Sequence, residues 1–176
     1  MPLFDVEALR REFDAAFARP VRDAGENTED VVAIRVAGSP YALRVAELAG
    51  VSAGHRVTPV PSAHATLLGL VGIRGALVPV FDLARLLGEQ AVGETPRWIA
   101  VSRGEQPIGL AFAAVEGQLP VAASAFAVAE GERELVEHVV RGATGLRAVV
   151  SVVRVVSWLR GQSGLEAPHE GKVERA

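Results

Sequence analysis

The chain has 176 residues, of which 49% are apolar, 22% charged and 5% aromatic, and it contains no cysteine. These values predict one folded domain or two fused subdomains and exclude a wholly disordered chain. A net charge of −3 argues against binding to a phosphate backbone, and the absent cysteine excludes disulfides and thiolate chemistry. Because we find neither a signal-peptide pattern nor a long apolar run, we expect a cytoplasmic protein with no inserted membrane segment.

The first 30 residues predict an amphipathic helix followed by a linker. Apolar side chains recur every three or four positions over residues 3–18, and Pro20 ends the segment. Residues 21–30 are polar and rich in turn formers. Two roles for the helix stay open: it packs on the chain's own β-domain, or it binds a groove of another protein.

Residues 31–160 predict a mainly β domain, because short apolar stretches alternate with Gly and Pro turns. The predicted strands cover residues 31–36, 41–45, 70–73, 77–81, 98–102, 108–112, 138–140 and 147–153. Two short helices are expected, one capped by Asp82 and one over residues 154–160. Each follows an apolar strand directly, which indicates two similar subdomains. The tail, residues 161–176, is expected to be disordered.

Few residues suggest catalysis. His64 lies near Ser62 and upstream of Asp82, so a small Ser/His hydrolase is a remote alternative, but the G-x-S-x-G nucleophile elbow is absent. The four histidines lack metal-ligand spacing, and the glycines of residues 69–75 lack the spacing of a nucleotide-binding loop. We therefore expect no enzyme, no catalytic residue, no metal and no cofactor, and instead a binding module.

One block carries a family resemblance. Residues 69–88, GLVGIRGALVPVFDLARLLG, resemble the signature of the CheW-like family, G-V-I-N-L-R-G-x-V-x-P-V-x-D-L. Further matches, in order and in approximate spacing, lie at residues 41–48, 58–61, 98–101 and 107–111. The resemblance spans about residues 31–160, and its central block is the most specific part.

The resemblance implies two SH3-like, five-stranded β-barrel subdomains that share an apolar core, with short helices. It also implies a non-catalytic adaptor that couples the cytoplasmic tip of a chemoreceptor to a CheA-type histidine kinase in a bacterial chemosensory system. Such a protein is expected to be monomeric alone and to assemble with its partners in arrays. The alternative is a divergent module that binds only one of these partners, or another signalling protein.

The same resemblance implies a set of partner-binding residues. Arg74 matches an arginine that the family uses near its interfaces, and Gly69, Val71 and Gly75 belong to the same strand–turn unit. Leu48 matches an apolar position near the receptor-contacting surface. The residues themselves leave two alternatives open, because Arg74 also suits a turn and Leu48 also suits a core.

Several positions depart from the family pattern. Gly72 stands where asparagine is usual, and Gly50 where an acidic residue is often found. Ala113 and Arg154 each stand where the family has aspartate. With these departures, the resemblance supports the fold more firmly than the full set of partners, and a chain of this kind could keep one binding surface and lose the other.

Overall fold

A computed structural model describes residues 27–90, 95–129, 131, 134–142 and 145–163. The predicted N-terminal helix and the part of the predicted tail beyond residue 163 lie outside these ranges. The described chain is mainly β, with few and short helices. Its strands are β1 Thr28–Val36, β2 Ser39–Arg44, β3 Leu48–Ala53, β4 Leu67–Ile73, β5 Ala76–Asp82, β6 Trp98–Ser102, β7 Gly109–Phe112, β8 Ala114–Ala122, β9 Phe126–Val128, β10 Val136–Gly142 and β11 Gly145–Val150. Its α-helices are α1 Leu83–Leu86 and α2 Val152–Ser163, and 3-10 turns precede β3 and β9.

The strands form two mixed sheets. Sheet A has the order β8-β1-β2-β11-β10-β9, and sheet B has the order β3-β6-β7-β5-β4. Neighbours are antiparallel except for β2 with β11 and β5 with β7. Sheet A takes its strands from both ends of the described chain, whereas sheet B comes from the middle. The sequence of sheet B is thus inserted between β2 and β8 of sheet A.

The two sheets share one connectivity. In each, an early hairpin, β1–β2 or β4–β5, lies parallel to one strand of a later hairpin, β10–β11 or β6–β7. Both early hairpins turn through two residues with positive φ, Ala37-Gly38 and Arg74-Gly75. This is the type I′ geometry, whose twist matches that of the flanking strands. The two strand–helix units noted in the sequence are not equivalent in this repeat, because α1 follows the early hairpin of sheet B and α2 follows the later hairpin of sheet A.

A single apolar core joins the sheets. Its buried side chains include Ile34 and Leu43 of sheet A and Leu110 and Phe112 of sheet B. Helix α1 adds Leu83 and begins, as the sequence predicted, at an Asp82 cap whose carboxylate accepts from two backbone N–H groups. Helix α2 contributes one apolar face to the same core. None of the described helices is both long enough and apolar enough to cross a membrane.

The sequence predicted eight of these strands and missed three. Strand β3 contains a glycine, β8 contains both a glycine and a proline, and β9 has only three residues, so none shows a clear alternation. Helix α2 begins at Val152 and extends to Ser163, so the predicted strand 147–153 was too long and the helix too short. Two side chains cap the helix there: Glu47 accepts from the Val152 N–H at 2.6 Å, and the Ser151 hydroxyl accepts from the Arg154 N–H at 3.4 Å.

Candidate functional site

A groove of about 430 Å³ lies on sheet B. Strand β3, the β4–β5 hairpin and the start of the β6–β7 loop enclose it. Its lining is mostly apolar and includes Val51, Ile73, Val78 and Val101. Polar side chains also line the groove, among them Ser52, His55 and Arg74. An apolar recess with a few polar groups around it is typical of a recognition site for another protein's side chains.

The groove forms because sheet B is curved. Strands β3 and β4 are the two edges of the sheet, and in a flat sheet they would lie roughly 19 Å apart. Both nevertheless line the groove. Just beyond β3, Thr58 exchanges two backbone hydrogen bonds with Leu70 of β4, at 2.8 and 2.9 Å. The chain that leaves one edge strand therefore contacts the other edge strand.

Arg74 occupies a strained position at the groove. Its φ is +50° and that of Gly75 is +82°, so both central residues of the turn are left-handed. Type I′ turns favour Asn, Asp or Gly at the first position, and a left-handed arginine costs about 1 kcal/mol. Within the described part of the chain, no ion pair or side-chain hydrogen bond holds the Arg74 guanidinium. The strain is therefore not repaid by a side-chain contact inside the described fold, and Ala37 has the same conformation in the corresponding turn of sheet A.

The other predicted partner-binding residues have different surroundings. Gly75 completes the exposed turn beside Arg74. Gly69 has a φ of +147° and packs against the backbone at Thr58, where it forms a bulge in β4. Val71 is 3% exposed and Leu48 is 4% exposed. Of the five predicted residues, the structure thus places only Arg74 in the described lining of the groove, with Gly75 next to it in the turn, and Leu48 takes the core position that its sequence left open.

The residues of the hydrolase alternative have structural contacts. The Ser62 hydroxyl accepts from the backbone N–H of His64, and Nδ1 of that histidine lies 3.3 Å from the Thr66 hydroxyl. The Asp82 carboxylate caps α1 and pairs with Arg85 at 3.4 Å. These contacts hold a loop and a helix start and do not link the three side chains in a relay. No group of three potential metal ligands occurs in the described ranges.

Sequence reasoning missed an ion-pair cluster on sheet A. Arg44 pairs with Glu137 at 2.8 Å and with Glu29 at 3.0 Å, and it donates to Nδ1 of His138 at 3.0 Å. Its guanidinium also lies 3.6 Å from Glu47, the residue that caps α2. The members come from distant parts of the chain, so no local motif marks the cluster.

This cluster predicts a loss of stability in acid. The hydrogen bond from Arg44 lowers the pKa of the Glu137 carboxyl below its ordinary value. A carboxylate with a lowered folded pKa stabilises the fold above its unfolded pKa, and that stabilisation disappears as the pH falls through the folded pKa. We expect the free energy of unfolding to fall between about pH 5 and pH 3, with a shallower slope in Glu137→Gln. Urea unfolding at stepped pH values measures both slopes.

The control for the acid experiment is Glu105→Gln, in the β6–β7 loop, where no ion pair is formed with a described residue. This variant is expected to keep the wild-type slope. Parallel pH profiles for wild type and Glu137→Gln would contradict the role given to the Arg44–Glu137 pair.

The geometry can now be set beside known proteins. Residues 30–162 match the family model of the CheW-like domain. The chain belongs to the CheW-like family. The resemblance carried by residues 69–88 is thereby confirmed, and the departures noted above make this a divergent member.

Two relatives share part of this CheW-like chain. A probable chemotaxis protein CheW of Rhizobium etli is 24% identical over 81 residues, which are 46% of this chain and 52% of the relative. A chemotaxis protein CheW of Rhizobium meliloti is 28% identical over 72 residues, 41% of this chain and 46% of the relative. The chain spans about half the length of the curated relatives it matches.

A solved structure has the same fold. The crystal structure of the scaffolding protein TtCheW from Thermoanaerobacter tengcongensis aligns with a TM-score of 0.64 and 20% sequence identity. The alignment covers 69% of this chain and 88% of the other. At this identity the likeness establishes the fold alone, and it agrees with the two mixed sheets described above.

Proposed function

We propose that this CheW-like chain is a non-catalytic scaffold in a bacterial chemosensory system. It would couple the cytoplasmic tip of a chemoreceptor to a CheA-type histidine kinase in the cytoplasm, as a monomer that assembles with these partners in arrays. Family membership supports the proposal, as do the names of the relatives. The single observation that carries it is Arg74, a strained and exposed cation at an apolar groove.

The groove on sheet B is the proposed contact for one partner. Its apolar lining accepts side chains from a partner helix or barrel, and Arg74 adds a charge-assisted hydrogen bond at the edge. Gly75 contributes by permitting the turn that positions Arg74. Gly69, Val71 and Leu48 would act indirectly, because they fix the strands that carry the groove.

Asparagine at position 74 separates binding from folding. Because asparagine suits the first position of a type I′ turn, Arg74→Asn should keep or raise stability, by up to about 1 kcal/mol. Loss of the guanidinium should weaken binding to one partner at least tenfold, or about 1.4 kcal/mol. Calorimetric titration with the kinase regulatory domain and with a receptor-tip fragment gives the two dissociation constants, and thermal unfolding gives the stability.

The matched control is Ala37→Asn, which makes the same substitution in the corresponding turn of sheet A, where φ is +48°. It should stabilise the fold to a similar extent and leave both dissociation constants unchanged. Wild-type binding of both partners by Arg74→Asn would remove Arg74 from the proposed interface.

We also propose that each sheet closes into an SH3-like barrel, so that residues 31–160 form one domain of two subdomains. The contacts between Thr58 and Leu70 support closure of sheet B. In sheet A, Glu116 of β8 lies 2.5 Å from Arg147 of β11, although β1 and β2 separate these strands. Such a contact favours a strongly curved sheet.

A divergent module with only one partner is the second candidate. Gly50, which lines the groove, stands where the family often has an acidic residue, so Arg74 lacks a nearby carboxylate there. Kinase activity reconstituted with receptor fragments separates the two candidates. Restored receptor control of the kinase on adding this protein supports the two-partner scaffold, whereas a one-sided pull-down supports the second candidate.

A further inference from the structure

A second recess, of about 590 Å³, lies next to the groove. The residues that follow β3, Gly54 to Arg56, form one side, and Pro96 and Arg97 form the other with Trp98. Ala53 pairs with Trp98 at the end of the β3–β6 ladder, so the two segments leave the sheet side by side. We name this site, defined by its lining residues Ala53–Arg56 and Pro96–Trp98, the basic recess.

Among the described residues that line it, the basic recess has two arginines and no acidic side chain. His55, Arg56 and Arg97 are exposed, and none of them forms an ion pair with a residue of the described ranges. Five arginines elsewhere in the described ranges are paired with carboxylates, namely Arg35, Arg44, Arg85, Arg147 and Arg154, whereas Arg74, Arg103, Arg141 and Arg160 are not. The chain as a whole carries a net charge of −3, so the charge of the recess is opposite in sign to the net charge of the chain.

The basic recess and the groove are continuous. His55 lines both, and its Nε2 lies 2.8 Å from the hydroxyl of Ser52, which also lines the groove. This hydrogen bond holds the imidazole at the junction. A single track therefore runs beside β3, from Arg74 at one end to Arg97 at the other, and the described residues that line its two parts include no aspartate or glutamate.

We propose that the basic recess binds carboxylate side chains of the same protein segment whose apolar residues fill the groove. This inference depends on the proposed function in one respect, because it takes the groove to be a binding site for a partner protein. Charge complementarity identifies the occupant as a segment with apolar residues followed by aspartate or glutamate. Arg56 and Arg97 can each hold a carboxylate through two N–H donors, and the half-buried Trp98 gives the recess an apolar wall.

A pair of synthetic peptides tests this inference on the full chain. One carries leucines at helical spacing followed by three glutamates, and the other has glutamines in place of the glutamates. The chain has two tryptophans, so Trp158→Phe leaves Trp98 as the single fluorescent reporter. The acidic peptide should bind at least tenfold more tightly in 50 mM salt, and the difference should shrink in 500 mM salt.

Charge-reversed variants supply the controls. Arg56→Glu with Arg97→Glu should remove the preference for the acidic peptide, and the neutral pair Arg56→Gln with Arg97→Gln should reduce it even if the reversed pair folds poorly. Arg141→Glu with Arg160→Glu makes the same charge change at two other exposed arginines and should keep the preference. Circular dichroism checks the fold of each variant.

Three outcomes would overturn the inference. Equal affinity for the two peptides would show that carboxylates are not recognised. If the Arg141→Glu, Arg160→Glu variant also lost its preference for the acidic peptide, the preference would come from the net charge of the protein and not from binding at the basic recess. Competition by 10 mM inorganic phosphate as strong as that by the acidic peptide would show a small-anion site rather than a docking surface.

The inference and the proposed function can fail separately. If the acidic peptide is preferred but neither the kinase domain nor the receptor tip binds, the recess stands and the scaffold proposal fails. If both partners bind the Arg56→Glu, Arg97→Glu variant with wild-type dissociation constants, the scaffold proposal stands and the role of the recess fails.

Discussion

Alanine at position 69 is expected to destabilise the fold by at least about 2 kcal/mol, and a larger side chain by more. The φ of Gly69 is +147°, a conformation that side chains with a Cβ rarely adopt. An added Cβ would overlap the carbonyl oxygen of Thr58 and lie 2.9 Å from the Cα of Pro59. These are backbone atoms, so no rotamer change can relieve the overlap. Urea unfolding of Gly69→Ala measures the loss.

Gly72→Ala is the matched control for Gly69→Ala, because it lies on the same strand, its φ is not left-handed, and its Cβ would meet no atom within 4 Å. We expect it to change stability by less than about 1 kcal/mol. Equal effects of the two substitutions would show that the close approach of Thr58 to β4 does not stabilise sheet B.

The second large effect is expected at Glu116. Its carboxylate lies 2.5 Å from Arg147, which is only 4% exposed, and 2.8 Å from the partly exposed Arg35. Glu116→Gln keeps the shape and removes the charge that offsets the buried guanidinium. Breaking such a pair costs about 3 kcal/mol when one partner is buried, and the partial exposure of Glu116 makes this an upper estimate. Thermal and urea unfolding of the variant measure the loss.

Glu29→Gln is the control for Glu116→Gln, since Arg44 keeps Glu137 after Glu29 loses its charge. A loss below about 1 kcal/mol is expected there. The pKa of Glu116 is lowered, chiefly by its hydrogen bond from Arg35, so wild type should lose this stabilisation in acid and converge with Glu116→Gln. A Glu116→Gln protein as stable as wild type at neutral pH would contradict the argument.

The parts of the fold that the sequence predicted depend on local chemistry. Short apolar stretches that end at glycine-containing turns predicted β1 and β4, because both the apolar run and the turn lie within a few residues. Asp82 marked a helix start because its own carboxylate makes the cap. The Arg74-Gly75 turn could be predicted for the same reason, because these two adjacent residues determine the geometry of the β4–β5 hairpin.

The parts that the sequence did not predict depend on distant residues. The start of helix α2 at Val152 depends in part on Glu47, far away in the chain, which accepts the Val152 N–H beside the local cap from Ser151. Leu48 and Arg74 both match the family pattern. Only their burial in the structure shows that Leu48 is a core residue and that Arg74 is exposed. No local pattern in the sequence predicts the basic recess, because Arg56 and Arg97 line one site only when β3 and β6 pair.

The insertion of sheet B into the sequence of sheet A sets an order for folding. Sheet B forms from one continuous stretch of chain, residues 48–112, whereas the parallel β2–β11 ladder joins Tyr41 to Ala148 and closes a loop of about a hundred residues. During synthesis, β2 keeps an open edge until β11 leaves the ribosome. The β10–β11 hairpin, which is synthesised last, thus completes sheet A, whose first strands are synthesised first. A chain truncated before residue 145 would leave the edge of β2 exposed to other chains.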